Sequence, residues 1–575
     1  MTGTHYANCP NPVNTILTAS TSLPSSARSH KWKEDLLSSS LYNGRLDRVN
    51  VLGSETTGHT GCVNALSWAK GGSVLISAGD DTTVRLWRMD TENLEQEYEF
   101  VCDTVIQTGH RANIFNAQML PHSSRIVTVA GDKQVRVFDH EKAPGHPGDH
   151  GETEYYARQA AIRVLKCHSA RVKRIVTEDS PDLFLTVAKD GSVRQHDLRV
   201  PHTCGGDSCP APLVQVAHDL STLSLSPLTP YQFVVAGSSP YGYLFDRRHA
   251  GRHFREEWGQ PPDADEVTTC VRRFGRLSRG AHERRGSEHI TGSRMSSSNG
   301  HEVLLSYSAD AVYLYSTKDD PQPTNMASTE SSIVPPNRKQ TSPERHHSQV
   351  SESETDMDQD LADEDTLMEE DIERIRAKST PSPPRASRPS VEDAAGEEDP
   401  DRRDTDNDDE EDEKEVRDDD LADPRYVGIP IVMPRSRFVG ACNVETVKDV
   451  NFLGPRDEFV VSGSDDGNWF MWEKETGKLH DILEGDGTVV NVIEGHPYLP
   501  LVAVSGIDTT VKLFAPTPGP SRFSRLENAE SIMKRNAEAE SARSELSNLW
   551  LYYRIARQMA ENGGAGEGVV QCPVQ

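Results

Sequence analysis

Residues 75–87 carry the pattern that the rest of the chain repeats. Apolar Leu75 and Ile76 lead into Ser77-Ala78-Gly79-Asp80-Asp81, and alternation resumes at Val84, Leu86 and Trp87. Apolar runs of period two on either side of a Gly/Asp break read as two short strands around a tight turn. Asp81 suits the turn because its short carboxylate accepts nearby backbone N–H groups. His59 is placed to bridge the Ser77 hydroxyl and that carboxylate, with the Trp87 indole N–H closing a buried polar network. Such a network is stable only when every member is satisfied.

The unit recurs, in strand pairs 126–138, 184–197, 233–246, 303–315, 459–472 and 501–514. His110, His168 and His218 precede the second, third and fourth copies; the fifth lacks its His, and only the first keeps all four polar members. The pattern resembles the WD repeat, a four-stranded blade that cannot bury its own faces alone. Seven copies imply an all-β fold, a seven-bladed β-propeller whose radial closure removes exposed sheet edges.

Around the blades the pattern changes. Residues 1–27 are rich in Ser, Thr, Pro and Asn and are expected to be disordered. Over 28–46, Trp32, Leu36, Leu37 and Leu41 form one apolar stripe of a helix that either caps the ring or docks in a partner's groove. Val49–Leu52 is expected to close the ring against the seventh blade. Blades one to five are assigned to 48–318 and blades six and seven to 426–516, with a disordered insertion at 319–425 between complete blades. A helix over 521–562 and a disordered tail over 563–575 finish the chain; packing on the propeller is expected of that helix.

Composition sharpens this division. Only 35% of the 575 residues are hydrophobic and the net charge is −29. Between 351 and 424 there are 31 Asp/Glu against 9 Lys/Arg, so the acidity belongs to the insertion and not to the fold. Residues 249–300 read as a basic, irregular excursion carrying Arg272, Arg273, Arg276, Arg279, Arg284 and Arg285. Nuclear targeting is one reading of it and a solvated loop another, but the scarcity of stacking aromatics argues against nucleic-acid binding. Nine scattered cysteines fit reduced thiols, no secretory leader is visible, and no run is apolar enough to span a membrane. A nuclear or cytoplasmic protein, or one in both places, is the expectation. His202, Cys204 and Cys209 lie close together, with Cys167 and His168 earlier, but zinc frameworks use tighter C-x₂-C pairs, so an ordinary loop is expected there.

No phosphate-cradling Gly/Lys loop, Gly-x-Ser-x-Gly elbow or His-Glu-x-x-His appears, so no catalytic, cofactor or metal residues are expected and the chain reads as a non-enzyme. The third copy ends His196-Asp197-Leu198-Arg199 and the fourth Phe245-Asp246-Arg247-Arg248. Both are similar to the W-D-x-R box of the WD-repeat substrate receptors that plug into cullin-4 ubiquitin ligases through a propeller adaptor, with His and Phe in place of Trp. Gly109-His110-Arg111-Ala112-Asn113-Ile114-Phe115 and Asn443–Phe452 strengthen the likeness to the subgroup with an acidic insertion before the last two blades. The resemblance implies adaptor contact through Asp197, Arg199, Asp246 and Arg248, aided by the Trp32–Leu41 helix. It implies indirect attachment to cullin-4 and recruitment of an unidentified protein substrate. The alternative reading is a chromatin or transcription scaffold whose acidic insertion contacts basic partners.

Overall fold

Four-stranded sheets with two apolar faces bury both only by stacking around a ring. The computed structural model describes residues 39–54, 57–90, 98–201, 204, 209–248, 270–276, 288–321 and 424–541, less positions 40, 43 and 427. Within them are seven sheets arranged as blades. Blade one is Val63–Ala69, Val74–Gly79, Thr83–Met89 and Phe100–Gln107. Blade two is Ile114–Met119, Arg125–Ala130, Val135–Asp139 and Ala161–Leu165. Blade three is Val172–Thr177, Leu183–Ala188, Ser192–Asp197 and Val214–Gln215; blade four is Leu220–Leu225, Gln232–Gly237, Gly242–Asp246 and Cys270–Phe274. Blade five opens with Ile290–Met295, Glu302–Tyr307 and Val312–Ser316, and blade six is Val450–Leu453, Phe459–Gly463, Asn468–Glu473 and Leu479–Glu484. Blade seven is Val490–Gly495, Val502–Gly506 and Val511–Pro516, completed by Leu46–Leu52 from the start of the chain. First strands line the channel and fourth strands form the rim.

The core is divided among the gaps between blades. Phe184 and Leu185 are neighbours on one strand, yet Phe184 packs towards blade two and Leu185 towards blade four. Both are fully buried. Successive strand residues point to opposite faces, so second strands such as Leu183–Ala188 must be apolar on both. Each large side chain buried this way contributes roughly 1.5–3 kcal/mol. Gly79 ends one such strand because a Cβ there would sit 1.8 Å from the Cys62 carbonyl oxygen.

The blade-one network is closed. His59 Nε2 lies 2.7 Å from Ser77 Oγ and its Nδ1 2.9 Å from Asp81 Oδ2, while Trp87 Nε1 donates to Ser77 Oγ at 2.8 Å. Burial alone would raise the Asp81 carboxyl, but the His59 bond and the Thr83 and Thr60 N–H groups outweigh it and hold it down at about 2. The expectation that only blade one keeps four polar members is corrected by blade three. There the Thr186 hydroxyl is 2.8 Å from His168 Nε2 and 2.8 Å from His196 Nε2, and His168 Nδ1 is 3.1 Å from Asp190. With Nδ1–H given to Asp190, His168 Nε2 accepts from Thr186, so His196 supplies the Nε2–H that Trp87 supplies in blade one.

Four boundaries move. The insertion lies inside blade five, whose outer strand Ser436–Phe438 pairs antiparallel with Val312–Ser316 after the excursion. On its way back the chain lays Ile431–Val432 parallel to Cys270–Phe274 and buries Tyr426 against Tyr243 and Phe245. The expected irregular stretch 249–300 contains the outer strand of blade four and the first strand of blade five; in it Arg273 is buried and its Nε donates to the Ile429 carbonyl at 3.0 Å, while half-buried Arg276 pairs with Asp310. Arg279, Arg284 and Arg285 lie outside the described residues. The closing strand begins at Leu46, so the 28–46 helix ends earlier: Leu41 and Tyr42 are helical and Gly44 N–H bonds the Leu41 carbonyl at 3.0 Å. Trp32, Leu36 and Leu37 are outside the described residues. At the other end a short 3₁₀ turn, Leu526–Asn528, precedes a helix at 529–541 rather than at 521. Its Ile532 and Met533 join the core between blades five and six, and Asn536 Nδ2 donates to the Gly440 carbonyl at 2.8 Å. The expected continuation to 562 is outside the described residues.

Asp81→Ala is expected to cost roughly 1–3 kcal/mol in denaturant unfolding, because His59 and two N–H groups lose their acceptor. The Asp81 contribution is present above the ordinary carboxyl value of 3.8 and is lost as pH falls through about 2. Asp81→Asn therefore flattens the stability–pH slope across that window, measured by urea melts at stepped pH. For the insertion, replacing 325–423 with a short Gly/Ser bridge is expected to leave one cooperative thermal transition. Extending the deletion through 438 removes Tyr426 and the outer strand of blade five, and calorimetry is expected to show a lower or split transition.

Candidate protein-docking site

Both Asp-x-Arg boxes are built in the same way. Each Asp ends a third strand beside the start of the second, Asp197 opposite Leu183 and Asp246 opposite Gln232. Each carboxylate accepts the backbone N–H two residues on, at 2.9 Å from Arg199 and 3.0 Å from Arg248, which turns the chain and brings the guanidinium back over the Asp. Arg199 Nε and Nη2 then donate at 2.9 and 2.7 Å to Asp197; Arg248 Nε and Nη2 donate at 2.9 and 2.5 Å to Asp246. The Arg199 bond holds the Asp197 carboxyl below its usual range, and the paired carboxylates raise both guanidiniums. A planar fork held at two points keeps its direction while offering its remaining donors outward. The arginine side chains are 63% and 62% exposed.

Residues beyond the boxes fix and complete the patch. Arg247 bonds Glu178 at 2.6 Å and Gln195 at 2.8 Å, so a blade-four side chain ties down blade three between the two forks. The Arg248 guanidinium lies 4.2 Å from the Tyr231 ring centroid. Val200, next to Arg199 in the chain, is 58% exposed. Exposed apolar and aromatic groups around arginine are the composition of binding hot spots. The same end of the ring carries a groove of about 1070 Å³ lined by Trp68, Met119, Pro121, His122, Pro181 and Pro497. It shares a face with the boxes because Leu198 N–H bonds the Asp182 carbonyl at 2.9 Å, beside Pro181. Of the expected adaptor residues, the structure brings together Asp197, Arg199, Asp246 and Arg248, and places half-buried Leu41 in the short helical turn before the closing strand.

Elsewhere the charged interior is spent on the scaffold. In the channel Arg174 pairs with Asp449, and Arg294 with Glu494 at 3.0 Å, crossing from blade three to six and from five to seven. Burial lowers the Arg174 guanidinium to about 10. In blade six the buried Lys448 ammonium meets Asp465, and in blade seven Lys512 sits between Asp486 and Asp508. Cys167, Cys204 and Cys209, read from sequence as part of an ordinary loop, converge within 4.8 Å.

Comparison with known proteins agrees with this architecture. The family "WD domain, G-beta repeat" matches residues 51–88. The chain is 34% identical over 298 residues to WD repeat protein iqw1 of Schizosaccharomyces pombe, covering 50% of this chain and 35% of that protein. It is 26% identical to WD and tetratricopeptide repeats protein 1 of Homo sapiens, covering 91% of this chain and 94% of that one. It is 30% identical over 287 residues to human DDB1- and CUL4-associated factor 6, covering 49% and 30%. The chain thus spans about a third of the length of the fission-yeast protein and nearly all of the human tetratricopeptide-repeat protein.

Because both guanidiniums are mostly exposed, Arg199→Ala with Arg248→Ala is expected to leave the melting temperature near wild type. Asp246→Ala is expected to lower it, since its carboxylate is buried and organises the turn. Scanning fluorimetry separates the two. The sheets make this chain a seven-bladed β-propeller, one of whose repeats, at residues 51–88, is similar to the WD domain, G-beta repeat.

Proposed function

We propose that this chain is a non-catalytic substrate receptor that binds the propeller adaptor of a cullin-4 ubiquitin ligase and brings it a protein target. The observation that carries the reading is the pair of equally built Asp–Arg forks on adjoining blades. A propeller fold alone supports no particular partner, because propellers host many functions. The likeness to a protein named as DDB1- and CUL4-associated supports the choice of partner. The apolar stripe Trp32, Leu36, Leu37 and Leu41 is a second contact in this reading. Two linked contacts reinforce one another through effective concentration, so each adds more than its own affinity. On this reading the protein works in the nucleus, the cytoplasm or both.

Pull-down from cells tests it. Arg199→Ala with Arg248→Ala is expected to cut adaptor recovery by about tenfold or more with melting unchanged. Adding Leu36→Asp and Leu37→Asp is expected to remove the remainder. A folded quadruple variant that recovers adaptor at wild-type level overturns the reading. The scaffold role, in which the acidic run at 391–420 contacts basic partners, then takes its place.

A further inference from the structure

Three thiols from two separate stretches meet at the outer edge of the core between blades two and three. Cys167 follows the outer strand of blade two, while Cys204 and Cys209 belong to the loop joining the third and outer strands of blade three. Their sulfurs all lie within 4.8 Å of one another, the one such group of potential metal ligands among the described residues. Cys167 Sγ and Cys204 Sγ are 3.5 Å apart, well beyond the disulfide length of about 2.05 Å. Tetrahedral zinc with Zn–S bonds of about 2.3 Å sets its sulfurs about 3.8 Å apart, so the observed spacing suits a shared ion. A second feature points the same way: the Lys166 backbone N–H donates to Cys204 Sγ at 3.2 Å. An N–H aimed at sulfur stabilises the thiolate and orients it as a ligand. Cys167 is buried, and half-buried Cys204 and Cys209 pack with Leu198 against the same apolar cluster, so the set has a packed floor and an open side.

We propose that Cys167, Cys204 and Cys209 form a zinc-binding site that pins the 198–213 loop of blade three to the edge of blade two. An all-sulfur set selects a soft or borderline ion over magnesium or calcium. Binding converts three thiols to thiolates and releases three protons, giving a Zn(S)₃ centre of net charge −1; the fourth tetrahedral position is left for an outside donor such as water. The site does not depend on the ligase reading, although Arg199 lies in the pinned loop.

Full-length protein purified without chelator is analysed for metal by elemental mass spectrometry and for thiols by Ellman's reagent. About one zinc per chain is expected, falling to background in Cys204→Ser with Cys209→Ser and unchanged in the control Cys102→Ser. Chelator treatment of wild type is expected to expose three further reactive thiols, and cobalt added to the stripped protein to give a thiolate-to-metal charge-transfer band. The wild-type arms decide the matter if the double variant does not fold. Absence of bound zinc together with no cobalt band overturns the site, as does recovery of a Cys167–Cys204 disulfide from protein purified under reducing conditions.

Discussion

The ring depends on one recurring contact: a side chain tied to the carboxylate in the turn between second and third strands. In blades one, two and three that side chain is a histidine from the incoming loop, His59 to Asp81, His110 to Asp132 and His168 to Asp190. Blades six and seven use a buried lysine instead, Lys448 to Asp465 and Lys512 to both Asp486 and Asp508. The chemistry differs but the constraint is the same, since each contact fixes one end of a blade. A buried charge without its partner is costly, so these pairs discourage a blade from sliding in register. Burial lowers the Lys448 ammonium against the pull of Asp465, and four acceptors on Thr446, Asp465 and Asn491 surround it.

Fixing one end of a blade positions the other. Third strands run from the turn carboxylate to the opposite face, and on blades three and four that far end carries an Asp and an Arg two residues on. The register that sets Asp190 against His168 also sets Asp197 against Leu183, so the Arg199 fork inherits its direction from the buried network. Arg247 then couples the two blades across their gap. What emerges is a patch of two paired Asp–Arg forks, with Val200 next to Arg199 and Tyr231 under Arg248. Such a patch suits recognition by shape and direct contact more than long-range charge steering, since each fork is already neutralised by its own carboxylate.

Much of this was legible in the sequence, and the parts that were not have physical causes. Strand pairs with a Gly/Asp turn between them repeat seven times, which is enough to count blades. The two boxes could be read because both strands end on the same local turn. The return of the chain to blade five could not: Ile431–Val432 and Ser436–Phe438 are too short to show a period. Blade three hid its network because His196 performs through Nε2–H what tryptophan does through its indole. Arg247 stood inside a recognised box, but its role is to bridge blades, which only the ring geometry reveals. The convergence of Cys167 with Cys204 and Cys209 was not visible in their spacing, because three strands of blade three separate Cys167 from the other two along the chain.

In the proposed function the adaptor is met at the third-strand ends of blades three and four. Hydrogen–deuterium exchange of the full chain, with and without the purified adaptor, tests it most directly. Backbone protection is expected in peptides covering 197–201 and 246–248, with the turns at 80–82 and 465–467 on the opposite face unchanged. Protection confined to that opposite face, or none at saturating adaptor, would contradict it.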